Sequence, residues 1–180
     1  KCRDKENLSV DSIEKGCANV LLRLAIRTYS PYDNVTLYRV VTYENRPSES
    51  RFFRSRLPSD VVGYQRCNVP GSSMLYCCDS FATGLAEVSP KKGDVIYLCE
   101  YRLKNQITVV DMTQNLSNDQ GVFNSLRDAF RERCDHSSSS KYKVTAVLSQ
   151  KIIQGKIRSL GRNVDGIIYP SVKQGAGFCL

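Results

Sequence analysis

Four polar side chains stand where their neighbours leave them little water, and each is of a type that does chemistry. Arg39 interrupts the apolar run Val35-Thr-Leu-Tyr-Arg-Val-Val-Thr-Tyr43, and strand alternation puts it on the face of Leu37 and Val41, opposite Tyr38, Val40 and Thr42. An arginine held there needs an anionic partner. Glu87 falls in Phe81-Ala-Thr-Gly-Leu-Ala-Glu-Val88, an otherwise uncharged stretch in which a carboxylate is partly desolvated. Tyr76 is central in Met74–Cys78, just before that stretch, and Ser171 follows Asp165-Gly-Ile-Ile-Tyr-Pro170, at the mouth of a strand that proline ends. Singly, each has a structural explanation: an arginine paired with an acidic neighbour, a core tyrosine, a helix carboxylate reaching solvent, a turn-capping serine. Together they supply a cation, an aromatic face, a carboxylate and a hydroxyl.

Other chemistries lack their residues. His136 is the single histidine, and it lies beside the polar tract Asp135-His-Ser-Ser-Ser-Ser140, whose composition predicts a flexible loop rather than a seat for an oriented base. Nucleophilic triads are therefore set aside. Eight cysteines at positions 2, 17, 67, 77, 78, 99, 134 and 179 contain no Cys-x-x-Cys pair, so neither a structural metal nor a catalytic one is expected. Cys77, Cys78 and Cys99 sit in apolar runs and read as small buried hydrophobes of a reducing, cytoplasmic compartment. Gly161-Arg-Asn-Val-Asp-Gly166 has the wrong glycine spacing for a dinucleotide fingerprint, and no phosphate-binding P-loop is present. A bound nucleotide would need something other than a helix-capped glycine turn for its phosphates.

These residues must be positioned by a mixed order of elements. Asp11-Ser-Ile-Glu14 has capping-box spacing and opens an amphipathic helix reaching to about Thr28, with Ile13, Cys17, Val20, Leu21, Leu24 and Ala25 on one face. Strands are expected at Val35–Tyr43, Met74–Cys78, Asp94–Leu103, Ile107–Val110, Gly166–Pro170 and Gly177–Leu180. Helices are expected at Phe81–Val88, capped by Asp79-Ser80, and at about Val122–Arg133 and Lys143–Ser159. The polar, Arg-rich stretch ending at Pro58 is expected to carry Phe52, Phe53 and Leu57 inward. Strands and helices do not alternate as in a doubly wound parallel sheet, which favours an α+β class with mixed central sheets flanked by helices. One compact unit is expected, residues 1–34 forming an N-terminal helical extension to a domain at 35–180.

The whole chain has 180 residues and 20.3 kDa, enough for one core without staples. Twenty-six basic against eighteen acidic residues give +8 and a pI near 9.1, which favours an anionic partner: nucleic acid, an anionic membrane surface or a phosphate-bearing small molecule. No apolar run reaches the roughly 18 residues of a spanning helix. The start, Lys1 to Asn7, is charged rather than signal-like and without Met, which reads as a trimmed or excised segment. Basic residues are dispersed, with local clusters at Arg46–Arg56 and Lys151–Arg162, and match no nucleic-acid motif.

The combination Arg66-Cys-Asn68, Tyr76 within Leu75-Tyr-Cys-Cys-Asp-Ser-Phe-Ala-Thr-Gly-Leu-Ala-Glu-Val88, Val109-Val-Asp-Met-Thr113 and Asp165-Gly-Ile-Ile-Tyr-Pro-Ser171 resembles the RES domain, named for its arginine, glutamate and serine. Leu37-Tyr-Arg-Val-Val41 resembles its early Arg-Val strand, and the likeness runs from about Leu37 to Leu180. It departs from the family at Gln65-Arg66-Cys67-Asn68, where Gly-Arg followed by an aromatic is usual. The resemblance implies a fold similar to ADP-ribosyltransferase toxins and an activity that degrades NAD, with NAD as substrate and no resident cofactor. It implies a toxin neutralised by an Xre-like antitoxin or another protein inhibitor, and leaves a homo-oligomer open. It carries over Glu87, Arg66 and Tyr76 as catalytic residues, and Arg39, Arg66, Tyr76 and Ser171 as substrate-binding ones.

Those residue types suit the implied reaction. Nicotinamide in NAD is already a cationic leaving group, so its N-glycosidic bond breaks without a general acid; a nearby anion such as Glu87 steadies the developing oxocarbenium ion. Arg39 and Arg66 offer planar forks to a pyrophosphate, Tyr76 a ring face, and Ser171 a hydroxyl. The acceptor is open: water makes a glycohydrolase, phosphate a phosphorylase and a macromolecule an ADP-ribosyltransferase. A basic nucleic-acid-binding module is the reading from outside enzymology.

Overall fold

The computed structural model describes residues 7–21, 24–43, 53–114, 120–132, 136–154, 163–174 and 178–179. Helix α1 (Val10–Leu21) begins one position before Asp11: Ser9 is the capping residue, its Oγ accepting the Ser12 amide at 3.1 Å. The expected helix to Thr28 is corrected here. It ends at Leu21, and Ile26–Tyr29 is strand β1, where the β-branched Ile26 and Thr28 and the aromatic Tyr29 favour extended backbone and a sheet edge supplies its ladder.

Strand β1 pairs antiparallel with β4 (Ile107–Asp111), which pairs parallel with β5 (Gly166–Pro170), which pairs antiparallel with β6 (Phe178–Cys179). The parallel β4–β5 pair requires a crossover, and α3 (Gln120–Arg131) and α4 (Lys143–Ile153) provide it. A second sheet pairs β2 (Thr36–Thr42) with β3 (Ile96–Arg102), Arg39 opposite Cys99. Helix α2 (Phe81–Val88) packs on β2. The chain is α+β, with a mixed and an antiparallel sheet flanked by helices.

Several local expectations change. Met74–Cys78 is not a strand but an extended segment with one bridge, Cys78 to Tyr38, because the turn at 69–72 and the pinning of Tyr76 hold it off a continuous ladder. The serine tract is wound into a 3-10 helix, His136–Tyr142, leading directly into α4. Phe53 and Leu57 are exposed rather than inward, since their loop is held by polar bonds instead, Ser73 Oγ donating to Arg56 O and sharing a hydroxyl–hydroxyl bond with Ser55 Oγ. Phe52 and the last part of the helix expected to Ser159 lie outside the described residues.

The core lies between the four-stranded sheet and the helices: Val110, Met112, Phe130, Leu148 and Ile152 have no exposed surface. Cys77, Cys78 and Cys99 are buried thiols, as their apolar settings imply, and Cys67, between Arg66 and Asn68, is buried as well. Asp111 is wholly buried at the end of β4 and is matched by Arg27 of β1 at 2.9 Å. That pair fastens the chain's first strand to the central one. Glu14 and Lys151, 2.7 Å apart, fasten α1 to α4.

Candidate functional site

Glu87 is held by the local design of α2. Ser80 caps the helix, its Oγ accepting the Thr83 amide at 3.1 Å, and Ser89 ends it in the left-handed region at φ 49°. Gly84 lets α2 lie against β2: a Cβ there would sit 2.6 Å from Val40 Cγ2. Glu87 is thus delivered, in the last turn of α2, to the turn that follows β5.

Three consecutive residues of that turn grip Glu87. Ser171 Oγ donates to Glu87 Oε1 at 2.6 Å, the Val172 amide donates to the same oxygen at 3.0 Å, and Lys173 Nζ donates to the Glu87 carbonyl at 2.8 Å. Lys173 Nζ also donates to Ser89 Oγ at 2.7 Å, a cation placed at the negative end of the α2 dipole. Ser171 is buried and its Oγ accepts the amides of Lys173 and Gln174 at 3.3 and 3.0 Å. Its single proton and both lone pairs are engaged, so it acts by orienting Glu87. Among the described residues both bonds to the carboxylate fall on Oε1, which leaves Oε2 open.

Arg66 lies within electrostatic reach of Glu87. Its Nη2 donates to the Glu132 carbonyl at 3.1 Å and to Tyr142 Oη at 2.9 Å, and its guanidinium faces the rings of Tyr142 and Tyr169 at 5.2 and 5.5 Å. Burial on its own would lower the arginine's pKa; Tyr169, Tyr142 and the Glu87 carboxylate more than offset this and raise it. The cation is permanent, and its Nε is buried with no partner among the described residues.

Tyr76 builds the loop that carries Arg66. Its hydroxyl donates to Asn68 Oδ1 at 2.5 Å and accepts the Cys67 amide at 3.0 Å, while Gln65 N–H closes the turn on Asn68 O at 2.9 Å. Burial pushes the Tyr76 pKa well above the usual phenol value, so the hydroxyl stays protonated and donating. The side chain remains half-buried and borders a cavity of about 180 Å³ with mixed walls, Arg39, Arg56, Gln65 and Asn68 on the polar part and Val40, Val41, Val61 and Met74 on the apolar part. Tyr76 also borders an apolar cavity of about 260 Å³ with Leu37, Cys77 and Tyr101. Arg39 is 9% exposed, with its Nε buried and unpartnered, and no carboxylate pairs with it among the described residues. The ion partner a buried strand arginine ordinarily has is not supplied from within the described chain.

The five sequence-derived residues thus form a connected series. Ser171 bonds Glu87, Glu87 couples to Arg66, Arg66 rides on the loop that Tyr76 pins, and Tyr76 shares a cavity wall with Arg39. Neither cavity is bordered by Glu87, Ser171 or Arg66. Asn68, Tyr142, Tyr169 and Lys173 also build the site. Tyr169 is the first residue of the Tyr-Pro-Ser signal at 169–171 and Lys173 lies two positions beyond it, so both could have been drawn from it; Tyr142 leaves no sequence signal.

The family model of the RES domain matches residues 36–180. The chain belongs to the RES domain family. The match includes every residue of the series just described and begins at the first residue of β2. RES domains are associated with NAD-processing proteins and with toxin–antitoxin systems. Comparison with curated proteins and with solved structures gives no match. Among the described residues, no helix is long and apolar enough to cross a membrane.

Proposed function

We propose that this RES domain cleaves the nicotinamide N-glycosidic bond of NAD and acts as a toxin by depleting it. The observation that carries the reading is the triple grip of residues 171–173 on Glu87, with the Arg66 cation close by. A carboxylate so held stays fixed while charge develops on the substrate, and a preorganised group needs no reorganisation at the moment of reaction.

In the step proposed, the C1′–N bond breaks and its electron pair leaves with nicotinamide, which departs neutral. Positive charge appears on the ribose ring, where Glu87 Oε2 stabilises it or holds the ribose hydroxyls. Water then attacks C1′ and loses its proton to solvent, giving ADP-ribose; phosphate as acceptor gives the 1-phosphate instead. The Tyr76 ring packs against the nicotinamide or ribose, and Arg39 answers the pyrophosphate. Of the two arginines expected at the pyrophosphate, Arg66 works instead beside Glu87, its Nη2 being engaged by Glu132 and Tyr142. In this reading an Xre-like antitoxin or another protein inhibitor restrains the activity by covering this face.

The test is release of nicotinamide from NAD by purified protein, with and without phosphate. Label from the adenylate half that ends on protein or nucleic acid would identify a transferase instead. Turnover that survives Glu87→Ala combined with Arg66→Ala would remove the proposed site.

A further inference from the structure

The smaller cavity beside Tyr76, with walls part polar and part apolar, holds a second arginine that none of the motifs marks. Arg56 and Arg39 both line it, together with Gln65, Asn68 and the Tyr76 ring, and no acidic side chain is among its described lining residues. Arg39 reaches it from the middle of β2, nine-tenths buried and with an unpartnered Nε. Arg56 reaches it from the exposed loop before residue 58, which Ser73 Oγ ties to the 71–76 segment through Arg56 O and the Ser55 hydroxyl. The loop is therefore fastened directly to the segment that carries Tyr76.

Two guanidinium groups at one small cavity repel each other unless an anion lies between them. Whole-ligand pockets run to about 300–1,000 Å³. A space of about 180 Å³ takes a piece of a dinucleotide rather than all of it. The charged piece is the one two planar forks recognise.

We infer that Arg56 is a substrate-binding residue, which with Arg39 forms a two-arginine clamp for the diphosphate of a nucleoside diphosphate sugar. Tyr76, which lines the clamp's cavity, also carries the hydroxyl that pins the Arg66 loop. This inference rests on the NAD-cleavage reading for the identity of the natural ligand, but not for the anion site itself. Arg39 is the buried, fixed half; Arg56 is the exposed half that closes on the diphosphate from solvent.

The experiment measures calorimetric binding of ADP, ADP-ribose and adenosine to the wild type, Arg56→Ala and Arg56→Lys, alongside NAD turnover. Losing a charge-assisted contact makes Arg56→Ala bind ADP and ADP-ribose about 10- to 100-fold more weakly. Arg56→Lys recovers part of this because it keeps the charge without the fork. Adenosine affinity and the unfolding midpoint stay unchanged. KM for NAD rises while kcat holds, the mark of binding lost equally from ground and transition states. A wild type that binds neither ADP nor ADP-ribose, or an Arg56→Ala variant that binds both as the wild type does, overturns the clamp. ADP binding that depends on Arg56 in a protein releasing no nicotinamide upholds the clamp and removes the NAD-cleavage reading. Nicotinamide release with unchanged KM in Arg56→Ala does the reverse.

Discussion

Ser171 Oγ donates a 2.6 Å hydrogen bond to Glu87 Oε1 across 84 positions of sequence, joining the turn after β5 to the last turn of α2. The two residues whose motifs resemble the family's glutamate and serine are thus one unit, a carboxylate and the hydroxyl bonded to it. Replacing Glu87 with Gln keeps the shape and removes the charge, and lowers kcat for nicotinamide release by roughly 10²–10³-fold, the scale of one preorganised electrostatic group. Steady-state kinetics on NAD checks it.

Ser171→Ala leaves the Val172 amide and Lys173 still holding Glu87. The loss in kcat is smaller, about tenfold, the value of one hydrogen bond to a charged group. Lys173→Met adds to it by freeing the end of α2, and the double variant Ser171→Ala with Lys173→Met falls further than either alone. KM stays close to the wild-type value, since neither side chain is required to touch substrate.

Tyr76→Phe separates the ring from the hydroxyl. The ring still borders both cavities, but the buried Asn68 and the Cys67 amide lose their partner, at about 1–3 kcal/mol of stability for groups left unsatisfied. A lower urea midpoint at unchanged slope is the expected result. Activity falls as well, because the turn carrying Arg66 loosens.

Gly84→Ala tests the seat of α2. A methyl 2.6 Å from Val40 Cγ2 forces the helix off β2, at about 1–3 kcal/mol of overpacking. Val40→Ala in the same chain relieves the clash, so the double variant is more stable than additivity allows. Thermal unfolding of the four proteins closes the cycle.

Alkaline pH weakens the fold. Burial, with smaller contributions from Cys99 and Cys77, pushes the Tyr101 phenol from 10.0 up to about 12. Between those values the unfolded chain has released a proton that the folded one retains, so stability present below pH 10 is lost as pH rises toward 12. Tyr101→Phe flattens that part of the stability curve, measured as denaturant midpoints across the alkaline range.

Part of this was legible in the chain. Helix α2 could be read from the Ser80 cap and the apolar run ending at Val88, β2 from its β-branched residues, and the α+β class from the order of elements. Arg39, Arg66, Tyr76, Glu87 and Ser171 could be named because their motifs are local strings. Residues 26–29 could not be read as a strand from helical periodicity, because their conformation depends on a partner far along the chain, β4. Met74–Cys78 misled in the opposite sense, having strand-like residues but one bridge in place of a ladder.

By itself the sequence determined the membership, the residue types of the site and the want of a glycine-rich phosphate turn, all properties of short contiguous patterns. Tertiary structure alone decided what each group is free to do. It engaged the Ser171 hydroxyl with Glu87, turned the Tyr76 hydroxyl onto the Arg66 loop, tied Arg66 Nη2 to Glu132 and Tyr142, and brought Arg56 to the cavity that Arg39 lines. A side chain's role follows from which donors, acceptors and charges remain unmatched once distant segments have packed, and that remainder is not written in any local stretch.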